Sequence, residues 1–304
     1  MLRDTPLRTK MIVYTVLGVF LILTASTAVI ISTVTTQEEK LAYQQSVEMA
    51  SNYANQFDAD MKANLAIART ISTTMESYES ADRDEALLIL ENVLRENPHL
   101  LGTYVAFEPD AFDGKDIEYV NAPAHDETGR FVPYWNKMNG TASVAPLLHY
   151  DTSDYYQLPK ATREDLLTEP YFYEGVFMVS YVSPIIKDGE FVGIGGVDVS
   201  LDYVDEVVSE VRTFDTGYAF MVSNTGVLLS HPTHKDWIGK KRTFLVLEGK
   251  NSEKPLLILK TESADTLKQR ILPQEKLLFF FTNPLKPGIF LSCWSSLKKK
   301  CLPE

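Results

Sequence analysis

Tyr134, Trp135, Tyr155, Tyr156, Tyr171 and Tyr173 fall within about forty residues of one another, mostly in segments that read as loops. Ring faces carry negative quadrupole charge and attract cations, by roughly 1–2 kcal/mol per ring once water is excluded. Asp198, near the end of the strongly apolar stretch Phe191–Val199 (FVGIGGVDV), is placed to supply a full counter-charge. Rings plus one carboxylate suit an amine, methylated or not. Arg130 opens a second option, because its planar fork pairs with a carboxylate ligand. Each residue also has a plainer role open to it. A tyrosine in a half-buried sheet packs, Trp135 fills a core, Arg130 after its Thr-Gly turn is a solvated charge, and Asp198 caps a helix beginning near Leu201.

Other chemistries lack their residues. An exported hydrolase needs a nucleophile, a base and an orienting group, or a metal. The chain has no G-x-S-x-G, no H-E-x-x-H and no cysteine–histidine cluster with metal-site spacing. His231 and His234 are the closest histidine pair, and they flank Pro232 in a loop. No metal and no cofactor is therefore expected, and an exported enzyme ranks behind a binding function. A net charge of −12 without a basic stripe argues against nucleic acid. Cys293 and Cys301 are the only cysteines and stand in the last dozen residues, so no disulfide framework is expected. Gly193, Gly195 and Gly196 lie within a strand, so they do not form a phosphate loop and instead allow close backbone approach. Asn139-Gly140-Thr141 fits the N-glycosylation pattern by letters alone.

These residues need a scaffold, and its first element is apolar. Met11 to Val34 carries no charged side chain and is long enough to cross a bilayer core of roughly 30 Å. Arg3, Arg8 and Lys10 precede it against one acid, Asp4, so residues 1–10 are expected in the cytoplasm and the bulk of the chain outside. A cleaved signal peptide would have a shorter apolar core. Over 35–78 the apolar residues Ala50, Tyr53, Phe57, Met61, Leu65, Ala68, Ile71 and Met75 recur at three- and four-residue steps, the mark of a long amphipathic helix. That stripe suits the domain's own core or a homodimer seam equally. A second helix is predicted from Ser80 or Asp82 to Asn97, before Pro98. Strands follow at 101–107, 117–120, 131–135, 177–186 and 191–199, with a short helix in 151–160. Another helix is expected at 201–211, then a hairpin of 217–223 with 227–230 across Asn224-Thr225-Gly226. The order predicts an α+β fold: one transmembrane helix, a long helix and two antiparallel sheet units.

The segments GTYVAF, GRFVPYWN, SDYYQLPK, Glu169-Pro170-Tyr171, VSYVSPI with its Asp-Gly turn, GGVDVSL and GYAFMVSNTGVLLSHP, in this order, resemble the double Cache family of extracytoplasmic sensor domains. The resemblance covers about residues 37–242. It implies two PAS-like units, a membrane-distal one at 79–204 that binds the ligand and a proximal one beginning at 205–242. The implied role is small-molecule sensing for a histidine kinase, chemotaxis domain or cyclase, with dimerisation through the long helix and membrane lipid around the anchor. By the same resemblance Tyr155 and Tyr156 stand at a ligand-contacting aromatic pair, Tyr171 at a ligand tyrosine, and Asp198 at the partner of a ligand amino group. Ser153 stands where amino-acid-binding members carry a carboxylate-gripping arginine, which sets this chain apart from them. The expected ligand is thus an amine, an amino-acid-like molecule or a carboxylate. A stand-alone anchored binding protein is the alternative.

From about Thr243 the family pattern stops. Reverse translation of the tail offers a reason. A divergent proximal unit is one reading; the other is that, with suitable synonymous codons, third bases read with the next two turn the stretch from Pro284 to Pro303 into I-K-T-G-D-I-S-F-V-L-V-V-P-K-K-E-M-P, the stretch ending at Asn283 into F-F-Y-E and Arg270 to Glu275 into D-P-T-T-G-K. These strings match the end of a Cache domain in order. Residues 243–304 are therefore expected to be a frameshifted tail, with the output domain lost beyond it. The coding DNA checks this: the alternate frame should run open and spell these strands, and stop codons within it would refute the reading.

Overall fold

The computed structural model describes residues 6–213, 217–223 and 225–241, together with four strands, 244–248, 255–259, 278–282 and 290–294. Its first element is one continuous helix, α1 (Leu7–Glu76), about 105 Å long at 1.5 Å per residue. The part from Leu7 to Glu38 is long and apolar enough to cross a membrane, and among the described residues nothing buries it. Beyond it the predicted stripe turns inward. Ala50, Phe57, Ala68, Ile71 and Met75 are buried, and Tyr53, Met61 and Leu65 pack against the same core. Helix α2 (Arg83–Glu96) starts where Asp82 accepts hydrogen bonds from the backbone of Asp84 and Glu85.

The distal sheet is built from β1 (Gly102–Phe107), β2 (Pro133–Asn136), β3 (Ser143–Pro146), then, after α3 (Asp154–Thr162), β4 (Leu166–Leu167), β5 (Tyr171–Tyr173), β6 (Val176–Lys187) and β7 (Glu190–Ser200). Strand order is β3-β2-β1-β7-β6-β4, with β5 also on β6, and every pairing is antiparallel. Period-two alternation gives the sheet two different faces. Val105, Phe107, Val179, Ile185 and Val197 join the core formed with α1 and α2, whereas Tyr104, Ala106, Met178, Val182 and Ile194 face α3 and its loops. Ser72 on α1 donates to the carbonyl of Ser183 at 2.8 Å, and Glu76 accepts from the backbone of Ile186 at 3.0 Å. These bonds fix the long helix along β6.

Helix α4 (Asp202–Glu210) leads into the second unit: β8 (Arg212–Thr213), β9 (Gly217–Val222), β10 (Leu228–Ser230), β11 (Phe244–Glu248), β12 (Pro255–Leu259), β13 (Leu278–Thr282) and β14 (Phe290–Trp294). Strands run β10-β9-β13-β14, with β8 on β9, while β11 and β12 form a separate hairpin. One expectation changes. Ile117–Val120 is not a strand: Asp116–Tyr119 is a single 3-10 turn, because Asp116 is drawn onto buried Arg83 at 2.6 Å and the chain curls around that ion pair. Within the segment expected to be a frameshifted tail, β13 pairs with β9. Asn224 of the predicted turn, Cys301 and the Lys298–Lys300 run lie outside the described residues.

Gly195 is where α1 meets the sheet. A Cβ there would stand 2.6 Å from Ser72 Oγ and 3.0 Å from both Ile71 Cγ2 and the Ser72 nitrogen. Gly195→Ala should therefore lower stability by about 1–3 kcal/mol through overpacking. Chemical denaturation checks this, with Gly140→Ala, at an open turn with nothing near its Cβ position, as the comparison for a purely conformational glycine effect.

Candidate functional site: a buried carboxylate among tyrosines

Asp198 points from β7 onto the face opposite α1 and is 3% exposed. Its neighbours across the ladders are Gly102 on β1 and Ser180 on β6. Ser180 Oγ donates to the carboxylate at 2.6 Å and receives the Tyr171 hydroxyl at 2.7 Å, so a Tyr171–Ser180–Asp198 chain of hydrogen bonds forms. Thr168 holds Ser180 from the other side, exchanging hydrogen bonds of 2.9 and 3.0 Å with its backbone. Asp198 makes no capping bond, since the N-terminus of α4 has no side-chain cap. The capping alternative is thereby excluded.

Two glycines bring tyrosines to this carboxylate. The Tyr104 ring lies on Gly196, where a Cβ would be 2.3 Å from Tyr104 Cζ. The Tyr134 ring lies on Gly102, where a Cβ would be 2.3 Å from Tyr134 Cε2. Tyr155 on α3 and Tyr171 and Tyr173 on β5 complete the group. The rings fill one another's flanks: Tyr104–Tyr134 and Tyr134–Tyr173 meet edge to face at 5.9 and 5.7 Å, and Tyr155 stacks on Tyr171 at 6.4 Å. Tyr155 donates to the Leu148 carbonyl, and Tyr173 accepts from the Leu148 nitrogen at 2.9 Å. The hydroxyls of Tyr104 and Tyr134, each on a side chain about 1% exposed, have no hydrogen-bond partner. The Tyr134 hydroxyl is nonetheless near enough to Asp198 to lower its pKa, and the Tyr104 hydroxyl is near enough to Ser180 to feel it, without either forming a regular hydrogen bond.

Burial dominates the electrostatics. It pushes the Asp198 carboxyl up to about 6, and the Ser180 and Tyr134 hydroxyls offset only part of that. It also raises the hydroxyls of Tyr104, Tyr134, Tyr155, Tyr171 and Tyr173, and the nearby carboxylate adds to the rise in each. All five hydroxyls are therefore protonated, and the site carries at most one negative charge.

The predicted residues divide. Tyr134, Tyr155, Tyr171, Tyr173 and Asp198 come together. Tyr156 turns the other way, its hydroxyl bonded to Glu108 at 2.5 Å and to Arg130. Arg130 is buried, not solvated; it also donates to the Phe107 carbonyl and lies over the Tyr150 ring at 4.5 Å. Lys160 closes the group on Glu108 at 2.7 Å. These three charges lock α3 to the end of β1, beside the tyrosine cluster. Trp135 follows Tyr134 on a pleated strand and so faces the α1 side, packed in that core. Tyr104 and Ser180 were not picked out by sequence. Gly196 opposite Tyr104 and Asp198 opposite Ser180 in register carry the signal, readable once the pairing is known. Among the described residues no group of three or more histidine, cysteine, aspartate or glutamate side chains gathers as a metal site.

Comparison with known proteins agrees with this architecture. The profile described as methyl-accepting chemotaxis protein-like, first PDC sensor domain, matches residues 86–206. The solved extracellular domain of mmHK1S-Z3, a candidate histidine kinase, is 70% identical; the match covers 84% of this chain and 94% of that one, with a TM-score of 0.66. The corresponding domain of mmHK1S-Z2 is 53% identical over 83% and 95%, with a TM-score of 0.65. The methyl-accepting chemotaxis protein TlpQ of Pseudomonas aeruginosa is 30% identical over 138 residues, 39% of this chain and 19% of TlpQ. The chain thus spans about a fifth of that curated relative's length.

The raised carboxyl of Asp198 sets a pH dependence. Below about pH 4 it is protonated folded and unfolded, and contributes nothing; between about pH 4 and 6 the unfolded chain ionises while the folded carboxyl stays neutral, so stability falls across that window, and above about 6 the full cost of the buried charge remains. Asp198→Asn should therefore stabilise the ligand-free protein at pH 7.5, by an amount on the order of 3 kcal/mol, and have little effect at pH 4. Thermal unfolding at the two pH values checks this, and an equal effect at both would contradict it.

Proposed function

We propose, for a chain that belongs to the Cache (PDC) family of extracytoplasmic sensor domains, that it senses a small positively charged molecule bound against Asp198 in the distal sheet. The chain is a sensing module of a membrane receptor, and one solved relative of its fold, the ligand-binding domain of Mlp24, holds asparagine. The observation that carries the finer reading is the buried carboxylate itself. A charge in such surroundings is costly unless it is paired, and its protein partners are all neutral. A ligand cation supplies the missing partner. Arg130 would have been the anchor for a carboxylate ligand, but it is committed to Glu108, Tyr156 and Phe107.

The arrangement supports a route for the signal. Strands β6 and β7 carry Ser180 and Asp198 on one face and lie under α1 on the other, at Ser183 and Gly195. A ligand that favours one placement of these strands shifts α1, which continues as the membrane span. A second contact leaves from β5: Tyr171 and Tyr173 face Asp198, while Phe172 between them lies over Gly239 of the second unit, and Glu169 accepts from Thr225 at 2.9 Å. The basic residues before the span favour a cytoplasmic N-terminus, with lipid around Leu7–Glu38. The inward stripe of α1 is used by the domain's own core, so a homodimer would meet on its outward face near the membrane, where Leu41 is exposed. The 70% identity to mmHK1S-Z3 favours a histidine kinase as output over a chemotaxis domain.

Calorimetry on the full chain in detergent micelles tests the ligand reading, with amines, carboxylates and uncharged compounds compared. Cations should bind with an affinity that falls below pH 6, and Asp198→Ala should abolish binding while the unfolding transition stays cooperative. Binding confined to uncharged or anionic compounds, or unchanged in Asp198→Ala, would overturn it.

A further inference from the structure

Resting on the reading of Asp198 as the ligand's counter-charge, we propose that the site selects a primary ammonium, unmethylated and without a neighbouring carboxylate. Three acceptors face the ligand's charged end: the Asp198 carboxylate and the hydroxyl oxygens of Tyr104 and Tyr134. Those two are set apart from the other tyrosines of the cluster. Tyr171 is bonded to Ser180, Tyr155 to the Leu148 carbonyl and Tyr173 to the Leu148 nitrogen. Tyr104 and Tyr134 have no partner, although both are about 1% exposed and a buried hydroxyl ordinarily finds one. Gly196 and Gly102 are what allow these two rings to lie across the sheet towards Asp198; any side chain at either position would push the ring away.

A primary ammonium has three N–H donors, and three acceptors match it one for one. A quaternary ammonium has none. It would leave two buried hydroxyls without hydrogen bonds and the carboxylate with only the one from Ser180, and it needs open ring faces, whereas here ring edges and faces are turned on one another. A ligand carboxylate fares no better. The two buried arginines of the distal unit are spent, Arg83 on Asp113 and Asp116 and Arg130 on Glu108 and Tyr156, and Asp198 would repel it. The chemistry selected is that of a decarboxylated amino acid.

Matched probes test this on the full chain. Ethanolamine, 3-methylbutylamine and phenethylamine are each compared with the N-trimethyl derivative and with the parent amino acid, serine, leucine or phenylalanine. The best primary amine should bind at least about tenfold more tightly than either counterpart, as expected for losing hydrogen bonds to a charged group. Tyr104→Phe and Tyr134→Phe remove hydroxyls that form no regular hydrogen bond with the protein, and a cooperative thermal transition of each variant checks that it folds; each should weaken the primary amine severalfold and leave the trimethyl compound unchanged. A trimethyl derivative that binds as tightly as its parent overturns the three-acceptor match but leaves the cation reading standing. Equal binding of the amino acid overturns the exclusion of carboxylates. Binding by none of the cations, with binding of an anionic or uncharged compound in the calorimetry above, overturns both readings.

Discussion

A carboxylate withdrawn from water is the constraint around which the distal unit is arranged. Asp198 sits in the middle of a strand pairing, between Gly102 and Ser180, where no solvent reaches it and no basic side chain answers it. A position chosen for stability alone would be filled by an apolar residue, as at Ile194 and Val197 on the same strand. The protein instead surrounds the charge with hydroxyls, which temper its cost without cancelling it. Unsatisfied interior polarity of this kind is a state that a suitable guest relieves.

The same strands must serve two purposes, and glycine makes that possible. Along β7, Gly195 admits α1 on one face and Gly196 admits Tyr104 on the other. Consecutive residues thus touch the long helix and the tyrosine cluster, separated by no more than the thickness of the sheet. Close-packed interiors deform little, so a change on one face is felt on the other. On the far side of the cluster, charges do the holding: Glu108 gathers Arg130, Lys160 and the Tyr156 hydroxyl, and fixes α3 so that Tyr155 leans on Tyr171.

Much of this was legible in the sequence, and the failures have a common origin. The membrane span, the stripe of α1, the strand pair across Asp188-Gly189 and the helix at 202–210 follow from local periodicity and turn chemistry, which sequence states directly. Tyr171, Tyr173 and Asp198, singled out together from the sequence, lie together in the fold. Trp135 went wrong because adjacent strand residues face opposite ways, and proximity in sequence hid it. Arg130 and Tyr156 are close to the site yet serve Glu108, a partner 22 and 48 residues away that no spacing rule reveals. Tyr104 was passed over as an ordinary strand residue, since its significance depends on a glycine in register opposite it. Ile117–Val120 has strand-like composition, but a buried ion pair between Asp116 and Arg83 outweighs propensity.

Strand β5 shows how far alternation alone carries function. Tyr171 and Tyr173 share a face with Asp198; Phe172 has to take the other, where it meets Phe177 and the backbone of Gly239. Gly239 has a φ of +76°, a conformation disfavoured for other residues, and it offers no Cβ that would hold the ring off. Three successive residues therefore join the ligand cluster to the second unit without any intervening element. The helix route and this strand route start from the same hydrogen-bonded chain, Tyr171–Ser180–Asp198, one leaving through β6 and β7 to α1 and the other through β5. Under the function proposed above, a ligand that reorders that chain would act on both routes at once, so the two units and the helix would be displaced together and not in sequence.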